Sequence, residues 1–319
     1  MGSELWASPP AMMLLALLLE AAIGWPQWLY RSIKHPVVWI GALASKLERA
    51  LNRPRTSATT RRVLGAAATL AVIGVAAACA GVVLTLTDGS PLGLGLQVFL
   101  ASGLIASRSL YVHVAAVVEP LARNDLVRAR SAVAQIVGRD PSVLDEAGVA
   151  RASLESLAEN TSDGVVAPLF WGALFGLPGL ATYKAINTLD SMYGHKTERL
   201  AAFGYFAARL DDLANLVPAR FTGLLIVLAG FRWQALSVMF RDARKHRSPN
   251  AGWPEAAMAG ALNRRLSGPR VYADEVTHEP WLNRDAADPE VSDVQQGLSI
   301  YRRTVVFTAA LLLAWTVLP

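Results

Sequence analysis

One cysteine, Cys79, stands among 319 residues, so the chain can close no disulfide within itself and build no cysteine-based metal site. Its neighbours are apolar, and the expectation is a buried, inert thiol. Charge is also scarce: 17% of residues are charged against 53% hydrophobic, a balance unlike that of a soluble domain. A mean hydropathy of +0.33 makes the membrane the first expectation. A Walker-type phosphate loop, a dinucleotide glycine fingerprint and a His-Glu-x-x-His zinc motif are all missing. No internal repeat or low-complexity tract stands out. The first ten residues carry only Glu4, and Glu20 interrupts the apolar stretch that follows, so no cleaved signal peptide is expected.

The charge that is present is basic, with a net value of +5 and a pI of about 9.5. Lys46, Arg49, Arg53, Arg55, Arg61 and Arg62 cluster between apolar segments rather than along an aromatic-interleaved stripe, which argues against nucleic acid. They read as a positive-inside loop on the cytoplasmic side. A membrane span needs roughly 20 apolar residues, and 63–87 meets that without a charge. The turn Asp88-Gly89-Ser90-Pro91 leads into 92–107, extendable to 118, so the two segments read as a transmembrane hairpin. Residues 304–318 form a shorter C-terminal candidate behind Arg302 and Arg303.

From 119 to 164 the pattern turns amphipathic, predicting two cytoplasmic helices, one around Leu126, Val133 and Val137 and one around Leu144, Val149 and Leu157. Residues 165–183 are apolar but broken by Gly176-Leu177-Pro178-Gly179, and 213–231 contain Pro218 and Arg220. Irregular backbone and charge at membrane depth are tolerated only against protein or a wet cavity, so Arg220 marks a site. Residues 241–301 are polar, with one Ala-rich helix expected to start at Pro254. The expected class is therefore all-α: a polytopic integral membrane protein with broken or re-entrant helices and cytoplasmic helical regions. Its expected divisions are transmembrane helices in 1–118, a catalytic core in 119–240, a polar region contributing to the site in 241–303, and a last transmembrane helix in 304–319.

Four groups of residues have the composition of a phosphate-handling site. Arg151, Glu155, Glu159 and Asp163 recur at i+4, so three carboxylates share one helix face, with Arg151 placed to neutralise Glu155. Such a face suits Mg²⁺, which takes one or two carboxylates plus phosphates and waters, although a solvated helix face would look the same. Asn160 and Ser162 belong to the polar break that follows, where Ser162 or Asp163 could cap the next helix. Lys184, Asn187 and Ser191 share a second face beside Asp190, with His195 and Lys196 in the next loop. Arg209, Asp211, Asp212 and Asn215 enter the second broken segment, where carboxylate and amide oxygens again suit Mg²⁺ and an acidic cap competes. Last, Arg241, Arg244, Lys245, His246 and Arg247 lead into Ser248-Pro249-Asn250-Ala251-Gly252-Trp253-Pro254-Glu255, a basic run joined to a loop that opens a helix. The run alone is ordinary juxtamembrane charge; with free N–H groups at the helix start it becomes an anion cradle.

Stretches 153–171, 183–192, 208–220 and 246–255 together closely resemble the signature blocks of the adenosylcobinamide-phosphate synthase family, whose members are often called CobD or CbiB. The resemblance covers about 103–280. It is weaker at Gly24-Trp25-Pro26, where the family usually has an acidic residue in the place of Trp25, and at Glu20, where an Asp is usual. It implies a multi-pass enzyme of the cell membrane, with its site facing the cytoplasm, that uses ATP and Mg²⁺ to join an amino-alcohol phosphate to adenosylcobyric acid. Other enzymes late in the cobalamin pathway would be its partners. On that reading Glu155, Glu159, Asp163, Asp211, Asp212 and Asn215 are the candidate metal ligands, and Glu155, Glu159, Asp163, Lys184, Asp190, His195 and His246 the candidate catalytic groups. Arg151, Asn160, Ser162, Asn187, Lys196, Arg209, Arg220, Arg247, Ser248, Asn250 and Glu255 would bind ATP or substrate. Two other classes remain open from the residues alone: a membrane prenyltransferase using Asp211 and Asp212, and a transporter built on discontinuous helices.

A simple crossing by 165–183 would put the Arg151–Asp163 and Lys184–Asp212 clusters on opposite sides of the bilayer. Either the break at 176–179 lets both broken segments re-enter from the cytoplasm, or the two clusters serve separate functions; re-entry is the favoured expectation.

Overall fold

The structure, a computed structural model, describes residues 8–138, 140–194, 197–272, 275–277 and 279–317. In chain order its helices are α1 (Pro9–Ile23), α2 (Gln27–Ile33), α3 (Pro36–Leu51), α4 (Ala58–Thr87), α5 (Pro91–Ser102), α6 (Ser107–Ala122), α7 (Leu126–Val133) and α8 (Glu146–Thr161). After a π-helical turn (Ser162–Val166) come α9 (Ala167–Tyr193), α10 (Tyr205–Ala214), α11 (Leu216–Gly230), α12 (Gln234–Asp242) and α13 (Gly252–Leu262). Two small antiparallel pairs follow, β1 (Leu266–Ser267) with β4 (Trp281–Leu282) and β2 (Arg270–Tyr272) with β3 (Glu275–Thr277), before α14 (Val291–Val317). The all-α membrane class holds: four helical runs, Ala58–Thr87, Pro91–Ala122, Glu146–Tyr193 and Val291–Val317, are long and apolar enough to cross a bilayer, or up to six if bent pairs are counted.

The chain divides into two compact units that interleave in sequence. One comprises 1–106, 167–215 and 311–319; the other comprises 107–166 and 216–310.

In the first unit α4 begins where Ser57 accepts a hydrogen bond from Thr60 N–H, the side-chain cap that satisfies a free donor of the first turn. Its exposed faces present apolar side chains, as expected of a helix that meets lipid. Cys79 lies on one of these faces and is exposed, which corrects the expectation of a buried thiol. Its neighbour Ala78 is likewise exposed, whereas Ala80 is buried against protein. Ser90 caps α5 through Gly93 N–H after the expected turn, in which Gly89 takes φ 74°. The N-terminal pair is also broken: α1 and the α2–α3 run meet at 109°.

The α9 helix is interrupted where the sequence broke. Gly176 adopts φ 67°, ψ −157°, outside the helical region, a conformation open to glycine because it has no Cβ. A Cβ at Gly179 would lie 2.4 Å from the Trp171 carbonyl oxygen, whereas eight residues of straight helix separate two groups by about 12 Å. The chain therefore folds back on itself, with arms 167–175 and 177–193. The second arm returns Tyr183 and Ile186 to the cluster that holds Ala167. The chain turns back at the expected break, Gly176-Leu177-Pro178-Gly179.

In the second unit α13 is the central element. It packs on α11, α12 and α8, and every residue from Gly252 to Leu262 is buried. The helix starts at Gly252, two residues ahead of expectation, so Pro254 sits third rather than first; its missing N–H is still among those without an intrahelical partner. Ser162 and Asp163 do not cap a new helix, because the π-helical turn carries the helical path on. The C-terminal helix starts at Val291, three turns before the apolar stretch that signals it. Tyr301 donates to the Ser107 carbonyl at 2.7 Å, and Arg303 to the Ala229 carbonyl at 2.6 Å.

A candidate phosphate-handling site in the second unit

Arg220 projects from α11 over the indole of Trp253, 4.6 Å from the ring centroid, and its Nη1 donates to Asn250 Oδ1 at 3.2 Å and to Leu216 O at 2.6 Å. A guanidinium stacked on an aromatic face is held in place, and both of its hydrogen bonds here use Nη1. Trp253 and Asn250 belong to the turn that opens α13. That turn is itself organised: Ser248 Oγ accepts from Asn250 N and Ala251 N, and His246 Nδ1 accepts from Ser248 N at 3.1 Å. An accepting Nδ1 puts the proton of a neutral imidazole on Nε2, which lies 3.7 Å from Glu255 Oε1 with both side chains buried. Arg247 faces Glu279 at 3.7 Å. Arg220, His246, Ser248, Asn250 and Glu255 are thus brought together, whereas Arg247 turns to Glu279. Trp253, which organises them, carries no sequence signal beyond its place between Gly252 and Pro254.

The α8 face separates its candidates by exposure. Glu155 is buried and accepts from Ser267 N at 2.8 Å, a bond to a residue in the left-handed region at φ 61°. Glu159 is exposed, and Asn160 and Asp163 are half-buried. Arg151 pairs with Asp288 at 3.6 Å and lies over Trp281, with Arg265 on the same ring at 4.4 Å. Arg265 Nε also donates to Asp288 at 2.8 Å, and this hydrogen bond holds the Asp288 carboxyl below the usual range. Asp288 was not legible as a partner, since it lies 137 positions from Arg151. Ser162 is buried and its Oγ meets no hydrogen-bond partner among the described residues.

Beside the site, at the end of α12, Asp242 is fully buried. It accepts from Arg241 Nε and Nη2 at 2.9 and 2.7 Å, Lys245 Nζ at 2.6 Å and Asn283 N at 2.8 Å. Burial alone would raise its pKa, but these donors outweigh it and push the value down to about 2. Two cations of the basic run, Arg241 and Lys245, are therefore engaged by the buried Asp242 and are not free juxtamembrane charge.

The remaining candidates form a second cluster in the first unit. Tyr183 OH donates to Asn215 Oδ1 at 2.8 Å, and Asn215 Nδ2 to Asp211 Oδ2 at 3.0 Å, so Asp211 and Asn215 do share a face. Asn187 and Asp190 of α9 lie within electrostatic reach of the Asp211 carboxylate. Lys184 Nζ reaches Asn187 Oδ1 at 3.5 Å, Ser191 bonds the Asn187 carbonyl, and Arg209 pairs with Asp212 at 3.0 Å. His195 and Lys196 lie outside the described residues. Trp25, in the usually acidic position, is a packing residue stacked on Phe99 at 5.5 Å with His35 at its edge.

Among the described residues no three His, Cys, Asp or Glu side chains converge on one point. Glu159 and Asp163, one turn apart and accessible, fit the sparse protein coordination of Mg²⁺, which draws its other ligands from phosphate and water. Glu155 fits it less well, since one oxygen is engaged by Ser267.

The family model described as CobD/Cbib protein matches residues 13–301. A cobalamin biosynthesis protein CobD from Rhodobacter capsulatus is 58% identical over 297 residues, covering 92% of this chain and 93% of its own. Another from Brucella suis biovar 1 is 46% identical over 312 residues, covering 94% of each chain. A third from Sinorhizobium fredii is 43% identical over 310 residues, again covering 94% of each. No solved structure matches the chain. With a family model spanning most of its length and relatives of this identity over nearly all of it, the chain belongs to the CobD/CbiB protein family of cobalamin biosynthesis.

Proposed function

We propose that the protein is the ATP- and Mg²⁺-dependent synthetase that forms the amide of adenosylcobinamide phosphate from adenosylcobyric acid and an amino-alcohol phosphate such as aminopropanol phosphate. The observation that carries the reading is Arg220, stacked on Trp253 and tied to Asn250 where α13 begins. It offers a fixed cation and free N–H groups to a phosphate. A carboxylate does not react with an amine unaided. Transfer of the ATP γ-phosphoryl group to the corrinoid carboxylate oxygen gives an acyl phosphate and ADP; attack by the amine nitrogen then forms the C–N bond and expels phosphate, with the nitrogen losing a proton. Bound Mg²⁺ supplies charge neutralisation on the transferred phosphoryl oxygens, and Glu159 and Asp163 are the side chains proposed to hold it.

His246 serves this reading as an orienting group. Its Nδ1 lone pair is engaged by Ser248 N–H, which leaves Nε2–H facing Glu255 and no nitrogen lone pair for an incoming ammonium. Arg220 and Asn250 would hold the phosphate of one substrate. The test is turnover by the purified protein in lipid nanodiscs. Amide product should appear only when adenosylcobyric acid, ATP, Mg²⁺ and an amino-alcohol phosphate are all present; no product across a panel of such phosphates would defeat the proposal.

A further inference from the structure

In the first unit the α9 hairpin and α10 line an open apolar cavity of about 500 Å³, walled by Trp171, Phe175, Pro178, Ile186, Leu210 and Leu213 among others. Its aromatic wall is fixed: Trp171 Nε1 donates to Ala214 O at 3.0 Å, and its ring stacks on Phe175 at 5.9 Å. From Pro178 to Ile186 the second arm rises about 12 Å, close to the roughly 15 Å of hydrocarbon in one leaflet. The direction of α10 is set by two contacts. Phe203, just before it, packs on Tyr193, whereas Asn215, just after it, bonds Tyr183. The helix therefore runs antiparallel to the second arm, and the cavity leads from the hairpin tip towards the N-terminal end of α10.

That end is basic and aromatic. Arg62, in the first turns of α4, and Arg209 both lie 5.5 Å from the centroid of the exposed Tyr205 ring. Arg209 stands one helical turn from Leu213 in the cavity wall. Asp212 neutralises one charge, leaving a net positive clasp beyond an apolar slot of leaflet depth.

We propose that this is a binding site for one anionic phospholipid, with an acyl chain between the hairpin and α10 and the headgroup phosphate on the Arg62–Tyr205–Arg209 clasp. Apolar walls among candidate membrane spans select a hydrocarbon chain, and the paired guanidiniums at one end select a net-anionic headgroup over a zwitterionic one, whose own cation offsets its phosphate. Arg209, which the sequence suggested as a ligand of substrate phosphate, is on this inference a lipid ligand. The site is independent of the amide chemistry proposed above.

Native mass spectrometry of the full chain released from nanodiscs of phosphatidylglycerol or phosphatidylcholine tests it. One phosphatidylglycerol should be retained at least about fivefold more often than phosphatidylcholine. The Arg62→Gln/Arg209→Gln variant should abolish that preference, and Leu213→Trp, which fills the slot, should lower retention of both lipids, each in protein that remains monodisperse. Equal retention of the two lipids by the unaltered protein would overturn the proposal. So would an unchanged preference in the double variant, or displacement of the lipid by inorganic phosphate alone, which would mark a soluble-anion site.

Discussion

Helices α4 and α13 are built from similar material, mostly Ala, Gly and aliphatic residues, and meet different surroundings. Of the thirty residues of α4 only Gly65, Ala68, Thr69, Val72 and Ala80 are buried, while all eleven of α13 are. Small residues on α13 let backbones approach: a Cβ at Gly260 would stand 2.6 Å from Ala235 Cα, and the existing Cβ of Ala261 fills the space above Gly230. Gly74 and Gly81 on α4 have nothing within 4 Å of where a Cβ would be. Hydropathy shows that a segment avoids water, whereas whether lipid or protein replaces the water depends on what the small residues face.

The most severe way to break this contrast is Gly260→Leu. The side chain would enter the α12 backbone, where no flexible side-chain end can move aside, and overpacking of that kind costs about 3 kcal/mol or more. The expected result is loss of the monodisperse folded protein, or a fall in melting temperature, in detergent.

Next in size is Asp242→Asn, at the end of the helix on which α13 packs. Arg241 and Lys245 would face a neutral side chain, with an expected loss of about 2 kcal/mol at neutral pH. The native pKa of Asp242, about 2, lies below its ordinary 3.8. Its stabilisation is therefore complete above pH 4 and is lost as pH falls through 2. The stability gap between the two proteins should close over that acid window, and a gap unchanged down to pH 2 would show that the carboxylate charge is not its source.

Arg220→Lys probes α13 as part of a site rather than as packing. Lysine keeps the charge but loses the planar stack on Trp253 and the fixed fork. Turnover should fall about 30-fold, equivalent to about 2 kcal/mol, with the melting temperature nearly unchanged. Equal losses of activity and stability would make Arg220 a packing residue.

Much of this architecture was legible in the sequence, and the reasons are physical. The charge-free run of α4 and the Gly-Leu-Pro-Gly turn inside α9 are local signals, carried by consecutive residues. The start of α14 at Val291 was hidden because Asp293, Gln295 and Arg302 are polar yet helical. The grouping of Arg220 with Asn250 was visible only as two separate motifs. Arg151 on Trp281 and Asp288, Glu155 on Ser267 and Asp242 on Asn283 join residues 41 to 137 positions apart, and no local periodicity encodes such pairings. The i+4 spacing did show Glu155 as a charge acting on Arg151, but not Asp288, which pairs with it.

The smallest expected effect is the one that sharpens the comparison most. Gly74→Leu and Gly81→Leu add large side chains to α4 where, apart from the local helix backbone, nothing among the described residues lies within 4 Å of the Cβ position. If that face meets lipid, the added side chains exchange hydrocarbon for hydrocarbon, and Leu also favours helix over Gly by up to about 1 kcal/mol. Both variants should keep the melting temperature in nanodiscs within about 2 °C of the unaltered chain or raise it slightly, since an effect under about 0.5 kcal/mol moves it little. Cys79, exposed on the same helix, supplies an internal check: a bilayer-soluble maleimide should label it in folded protein, and a membrane-impermeant one should not. A clear fall in stability for either leucine variant, together with protection of Cys79 from the lipid-soluble reagent, would mean that another protein surface covers α4. The helix would then resemble α13 in its surroundings as well as in its composition.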